Sequence, residues 1–226
     1  MKILVLNGSP KKEKSDTMHI TRAFLAGMQE AGEQEVHILH AVDQHVKYCT
    51  GCFACMHNGG ACIHEDDMRS ILEEILRSDL FVLSFPLYCY GMPSHLKAVL
   101  DRTIPLMKMD MVQLSDGRVQ HVPLADFSKI HTLVLCGCGF PDWEGNFDAL
   151  KMQCKQCFGN LTMVCVPETP MLNVPQAAVV ADPLLDRFEA AGAEYAQSLC
   201  LSPETVARLE TPMIPKEVYV SIVNGG

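Results

Sequence analysis

Long hydrophobic runs are missing from this chain of 226 residues, and none approaches the roughly 18 apolar residues that cross a bilayer as a helix. The opening Met1-Lys2-Ile3-Leu4-Val5-Leu6 is too short and too soon interrupted for a secretion signal, so the expected location is cytoplasmic. No long basic run occurs and the formal net charge is -9, which argues against nucleic acid as a partner. No Gly-x-Gly-x-x-Gly follows the first apolar run, so the dinucleotide fingerprint is lacking. Neither a Ser-His-Asp set nor another nucleophile–base motif stands out, which sets hydrolase chemistry aside. Internal repeats and low-complexity segments are also absent.

What is present is ample material for one core. The composition is 48% hydrophobic, and the length suits a single domain over 1–226. Lys2 to Leu6 reads as a buried strand that breaks at Asn7-Gly8-Ser9-Pro10, followed by a helix over Met18 to Ala31 that Gly32 closes. Glu35 to His40 is a second strand. An irregular, cysteine-bearing stretch from about Tyr48 to His64 comes next. Asp66 and Asp67 then open a helix whose Met68, Ile71, Leu72, Ile75 and Leu76 share one face. Leu80 to Phe85 is a near-continuous apolar run, as in a central parallel strand covered on both faces, and Pro86 ends it.

Pro93 stands near the start of a helix carrying Leu96, Val99 and Leu100. The rhythm breaks over about 104–128, which reads as an insertion. His131 to Cys136 and Leu161 to Val166 are the fourth and fifth strands, with a helix ending near Phe158 between them. An extension over about 183–226 holds a helix from Pro183 to Leu201, a short one from Pro203 to Leu209, and Val218 to Val223, an edge strand or partner contact. Strands alternating with helices predict an α/β doubly wound five-stranded parallel sheet, with helices on both faces and any ligand at the carboxyl ends of the strands.

In the flavodoxin-like order 2-1-3-4-5, the loops after strands one, three and four face one crevice. The first, from Asn7 onward, leads into a helix N-terminus, whose unpaired N–H groups and positive dipole end suit a phosphate. Ser9, Ser15 and Thr17 add hydroxyls there, and Lys11 and Lys12 add charge. In the second loop, Tyr88, Tyr90, Gly91 and backbone amides are suited to a planar ring. The third, Cys136 to Asn146, brings Gly137, further glycine-rich backbone and the chain's single tryptophan, Trp143. A phosphate cradle with two ring-facing loops describes a mononucleotide site, and a flavin suits it better than a dinucleotide.

Lys2 to Thr17, Ser78 to Met92, and Leu96-Lys97 with Asp101-Arg102 together resemble the NAD(P)H-dependent FMN reductase superfamily over roughly the first 165 residues. The resemblance implies FMN as cofactor, with Ser9, Ser15, Asp16 and Thr17 at its phosphate. It places Pro86, Leu87, Tyr88, Cys89, Tyr90, Gly91 and Met92 along the isoalloxazine ring. It also implies a homodimer or homotetramer, with NAD(P)H as reductant and a small acceptor such as a quinone or nitroaromatic. No catalytic side chain is assigned, because the cofactor carries the chemistry. For Lys97, Asp101 and Arg102, helix packing or salt bridging is the expected role.

Cys49-x2-Cys52-x2-Cys55-x6-Cys62 is the second strong feature. Thiolates at such spacing reach the corners of one [4Fe-4S] cubane. Free thiols are the equal alternative, and zinc or a regulatory disulfide the weaker ones. The run resembles the compact cysteine motif of the iron–sulfur flavoproteins, a branch of the same superfamily, which implies electron exchange with a ferredoxin-like partner. His57 and His64 lie nearby as alternative ligands. Cys154 and Cys157, one turn apart on a helix, read as core packing, whereas Cys89, Cys136 and Cys138 lie where a flavin contact is plausible.

Overall fold

The computed structural model describes residues 1–142 and 144–225. Its centre is a five-stranded sheet of β1 (Lys2–Asn7), β2 (Glu35–His40), β3 (Leu80–Pro86), β6 (His131–Gly137) and β7 (Asn160–Val166). Every pairing is parallel, and the order is β2-β1-β3-β6-β7. The expected order 2-1-3-4-5 is corrected to 2-1-3-6-7, because the insertion supplies two strands of its own. These are β4 (Met107–Gln113) and β5 (Val119–Pro123), an antiparallel hairpin that forms a separate sheet.

Eight α-helices are described: α1 (Asp16–Glu30), α2 (Ala54–His57), α3 (Met68–Arg77), α4 (Ser94–Asp101), α5 (Asp148–Cys157), α6 (Ala178–Ser198), α7 (Pro203–Leu209) and α8 (Lys216–Val223). Alternation along the inner strands divides them between two faces. Leu4 and Leu6 of β1 join Phe81, Leu83 and Val134 in packing on Ile71 of α3, Leu96 of α4 and Leu150 of α5. Ile3 and Val5 point the other way, with Leu80, Val82 and Leu133, onto Phe24 of α1 and Phe188 of α6. Strands this fully covered have no solvent face, which is why Leu80 to Phe85 is almost continuously apolar.

Helix α6 starts at Ala178, ahead of the expected Pro183, which sits inside it. A proline forfeits one i→i−4 bond, and the residue four back, Val179, is 81% exposed, so water can satisfy the carbonyl left over. Helix α6 covers the sheet and touches α1 backbone to backbone. A Cβ at Gly27 would fall 1.8 Å from the Glu189 carbonyl oxygen, and one at Gly192 would fall 1.9 Å from that of Phe24.

Val218 to Val223 is helical, which overturns the edge-strand expectation. The β-branched run reads locally as strand, but α8 docks through buried Tyr219 on the loop after β6, and tertiary contact overrides propensity. Among the described residues no helix is long and apolar enough to cross a membrane.

Candidate functional site

The chain leaves β1 at Asn7, whose side chain braces the first loop. Its Oδ1 accepts from the Ser9 N–H at 2.9 Å, and its Nδ2 donates to the Lys12 carbonyl at 3.1 Å. Ser9, Ser15 and Thr17 are buried, at 2%, 1% and 0% exposure. Ser15 is the extended N-cap of α1, yet its hydroxyl makes no cap bond and instead meets the Thr17 hydroxyl at 2.9 Å. The first turn of a fifteen-residue helix is thus left without a side-chain cap beside three buried hydroxyls. That set suits a phosphate. The lysines are less free than the sequence suggests: Lys11 pairs with Asp16 at 3.3 Å and Lys12 with Asp43 at 2.5 Å.

The three loops are stitched to one another. Gly8 N–H donates to the Ser84 carbonyl of β3 at 2.8 Å, and His95 Nε2 lies 2.6 Å from the Gly8 carbonyl. A Cβ at Gly8 would sit 2.7 Å from Leu96 Cδ2 and 2.9 Å from Phe85 Cβ, so only glycine lets the loop lie this close. Leu87 N–H donates to the Gly137 carbonyl at 2.7 Å, tying the second loop to the third. Between Tyr88 and Gly91, reciprocal 3.0 Å bonds close a two-residue turn in which Cys89 (φ 48°) and Tyr90 (φ 61°) are both left-handed. Asparagine and glycine ordinarily fill such a turn. The left-handed pair carries strain of about 1–2 kcal/mol per residue, and the turn leaves Tyr88 47% and Tyr90 54% exposed. Pro86 and Leu87 are half-buried, and Met92 is buried.

In the third loop, Gly137 faces Thr169, where a Cβ would fall 2.5 Å from Cγ2. Trp143, expected here, lies outside the described residues. The C-terminal segment clasps this loop. Tyr219 donates its hydroxyl to the Gly139 carbonyl at 3.0 Å, and Lys216 pairs with Asp142 at 2.7 Å. Met213 and Ile214 N–H groups reach Glu168 Oε2 at 2.6 and 3.2 Å. Glu168 is fully buried, left-handed (φ 58°), and its Oε1 has no hydrogen-bond partner. Burial pushes its carboxyl above the usual range, outweighing the two N–H donors. Sequence reasoning passed over Asn7, His95 and Glu168, since each acts through a partner remote in the chain or through a brace with no motif.

Cys49, Cys52, Cys55 and Cys62 all line one cavity, together with Arg102. Left-handed backbone at Gly51, Phe53, Gly59 and Gly60 folds the short stretch back on itself. Cys49 and Cys52 are exposed, Cys55 is buried, Cys62 is half-buried, and all eleven cysteines are free. The Ala54 N–H and the Thr50 hydroxyl lower the Cys52 thiol, while burial and then Cys62 raise that of Cys55. Among the described residues no three His, Cys, Asp or Glu side chains gather as they would around a single metal ion. Four soft sulfur donors with a guanidinium in the wall fit an anionic sulfur-bridged cluster better than a lone cation. Cys136 and Cys154 are fully buried, and burial holds both thiols high, that of Cys154 at about 12.

A family model described as flavodoxin-like fold matches residues 1–199. An iron-sulfur flavoprotein of Archaeoglobus fulgidus is 32% identical over 103 residues, 46% of this chain and 49% of that protein. The FMN-dependent NAD(P)H:quinone oxidoreductase 1 of Pseudomonas aeruginosa is 29% identical over 133 residues, 54% of this chain and 62% of that one. The chain thus spans about half the length of the iron-sulfur relative it matches. Among solved structures, an NAD(P)H:quinone oxidoreductase from Methanothermobacter marburgensis superposes with TM-score 0.63 at 17% identity, covering 86% of this chain and 95% of that one. At that identity the likeness concerns the fold.

Proposed function

The chain belongs to the flavodoxin-like fold family, and from that premise we propose that it is an FMN-dependent NAD(P)H oxidoreductase acting on a small acceptor such as a quinone or nitroaromatic. The observation that carries this reading is the joining of three loops at the carboxyl ends of β1, β3 and β6, with Ser9, Ser15 and Thr17 buried at an uncapped helix start. Both the FMN-dependent relative and the resemblance carried by Lys2 to Thr17 and Ser78 to Met92 support it. Bound FMN would accept a hydride from the nicotinamide and deliver electrons onward. The chain's part is placement. The first loop, with Lys11 and Asp16, receives the phosphate; Pro86 to Met92 and Gly137 flank the ring; Asn7 and His95 keep the first loop in register. A single domain with a hairpin insertion, assembled as a homodimer or homotetramer, belongs to the same reading.

Fluorescence titration with FMN tests the site. Each charge-assisted bond to a phosphate is worth about 1.5–3 kcal/mol, so Ser9→Ala combined with Thr17→Val should weaken binding at least tenfold, or about 1.4 kcal/mol. An unchanged affinity would sink the assignment. NADH or NADPH oxidation with a quinone then checks the activity.

The cysteine cavity favours a second reading, an iron–sulfur flavoprotein that exchanges electrons with a ferredoxin-like partner, and the Archaeoglobus relative supports it. In it, Cys49, Cys52, Cys55 and Cys62 hold a [4Fe-4S] cluster. Iron and acid-labile sulfide assays on anaerobically purified protein separate the two readings: about four of each per chain supports the cluster, and flavin without iron leaves the simple reductase.

A further inference from the structure

Arg102 is 2% exposed, and a charge buried to that degree persists only when it is paired and hydrogen-bonded. Its partner is Asp66, whose side chain is 3% exposed. The fork is bidentate, with Nη1 2.8 Å from Oδ2 and Nη2 3.1 Å from Oδ1. Nη1 also donates to the Lys47 carbonyl at 2.6 Å. Asp66 in turn accepts the N–H groups of Lys47 at 2.9 Å and Met68 at 3.2 Å. The guanidinium plane is therefore held from several sides. What remains is its other edge: Nη2 reaches Cys62 Sγ at 3.4 Å, and Nε is buried without a partner. A purely structural ion pair explains the fork on Asp66. It does not explain a donor aimed at a thiol sulfur in the wall of a cavity that all four cysteines line.

Resting on the iron–sulfur reading, we infer that Arg102 is the potential-setting residue of that site, donating an N–H to the Cys62 sulfur while Asp66 holds it in position. A [4Fe-4S] cluster on four thiolates is anionic, and one-electron reduction makes it more so. Hydrogen bonds to the sulfurs and local net charge set the potential of such clusters. The guanidinium lies closer to the sulfur than the carboxylate behind it does, so it favours the reduced form. Asp66 partly offsets that effect.

The test uses the full chain, reconstituted anaerobically with iron and sulfide, and an EPR-monitored redox titration of wild type, Arg102→Lys and Asp66→Asn. Lysine keeps the charge but cannot hold the fork and reach the sulfur together, so reduction should become at least tenfold less favourable, about 59 mV lower for one electron. Asp66→Asn removes the opposing charge and should move the potential the other way. A merely structural pair predicts lower stability in both variants with no opposed shifts.

In case the variants do not fold, wild type grown with [15N]arginine gives an independent readout, since Arg102 is the arginine lining the cavity. Hyperfine coupling of the reduced cluster to a guanidinium 15N supports the inference. Its absence, or potentials that coincide, overturns the inference while leaving the cluster in place. Wild type that binds no iron and sulfide overturns the iron–sulfur reading and the inference together.

Discussion

Left-handed residues other than glycine mark where the backbone is held against its preference. Tyr90 is one such residue in the second loop, at φ 61° and 54% exposed. Tyr90→Gly should therefore stabilise the fold by about 0.5–1 kcal/mol, relief of left-handed strain outweighing the added entropy of the unfolded chain. Urea denaturation reads this, and the same variant should bind FMN more weakly for want of the ring. The seryl and threonyl hydroxyls of the first loop were legible because a turn and a helix start lie in contiguous sequence. Glu168 was not, since its partners Met213 and Ile214 are far along the chain and a single glutamate carries no local sign of burial.

Between elements, the contact of α1 with α6 has the sharpest consequence. Alanine is ordinarily about 1 kcal/mol better than glycine inside a helix. At Gly192 that sign should reverse, because the new Cβ would meet the Phe24 carbonyl oxygen at 1.9 Å, and backbone cannot step aside as a side chain does. Gly192→Ala should cost about 1–3 kcal/mol, the range for overpacking, seen as a lower denaturation midpoint. Gly60 plays a similar part where the cysteine loop meets the chain entering the hairpin: at φ 92° a Cβ would come within 2.8 Å of the Pro105 carbonyl oxygen. Gly60→Ala should lift this loop from its seat and, on the iron–sulfur reading, lower iron uptake in the same reconstitution assay. Neither contact is visible in a helical wheel or a cysteine spacing, since both depend on which elements the fold lays side by side.

For the molecule as a whole, two carboxyls tie stability to pH in one direction. Burial raises Glu168 and Glu210 above the ordinary 4.5. The unfolded chain releases these protons first as pH rises, so the stability they contribute is full below about 4.5 and lost as pH climbs through the raised folded values. Asp66, Asp116, Asp126 and Glu194 are lowered and work the other way, so the readout is a difference: in thermal melts at successive pH values above about 4.5, wild type should lose stability relative to Glu168→Gln. The amide still accepts from Met213 and Ile214 but has no proton to lose.

The sequence by itself determined the strands of the main sheet and most of the helices. Runs such as Leu80 to Phe85, and faces such as Met68 to Leu76, carry their periodicity in adjacent residues, and burial on two sides demands nothing further. It also determined the chemistry on offer: hydroxyls at a helix start, tyrosines in a turn, and four cysteines within one short stretch. Tertiary structure decided what those groups meet. It turned Val218 to Val223 into a helix by docking Tyr219, and it made the insertion a hairpin with strands of its own. It also carried Arg102 from the end of α4 to the Cys62 sulfur, a place fixed by Asp66. Spacing along a chain constrains neighbours a few residues apart, whereas a buried charge finds its partner only once the elements have packed.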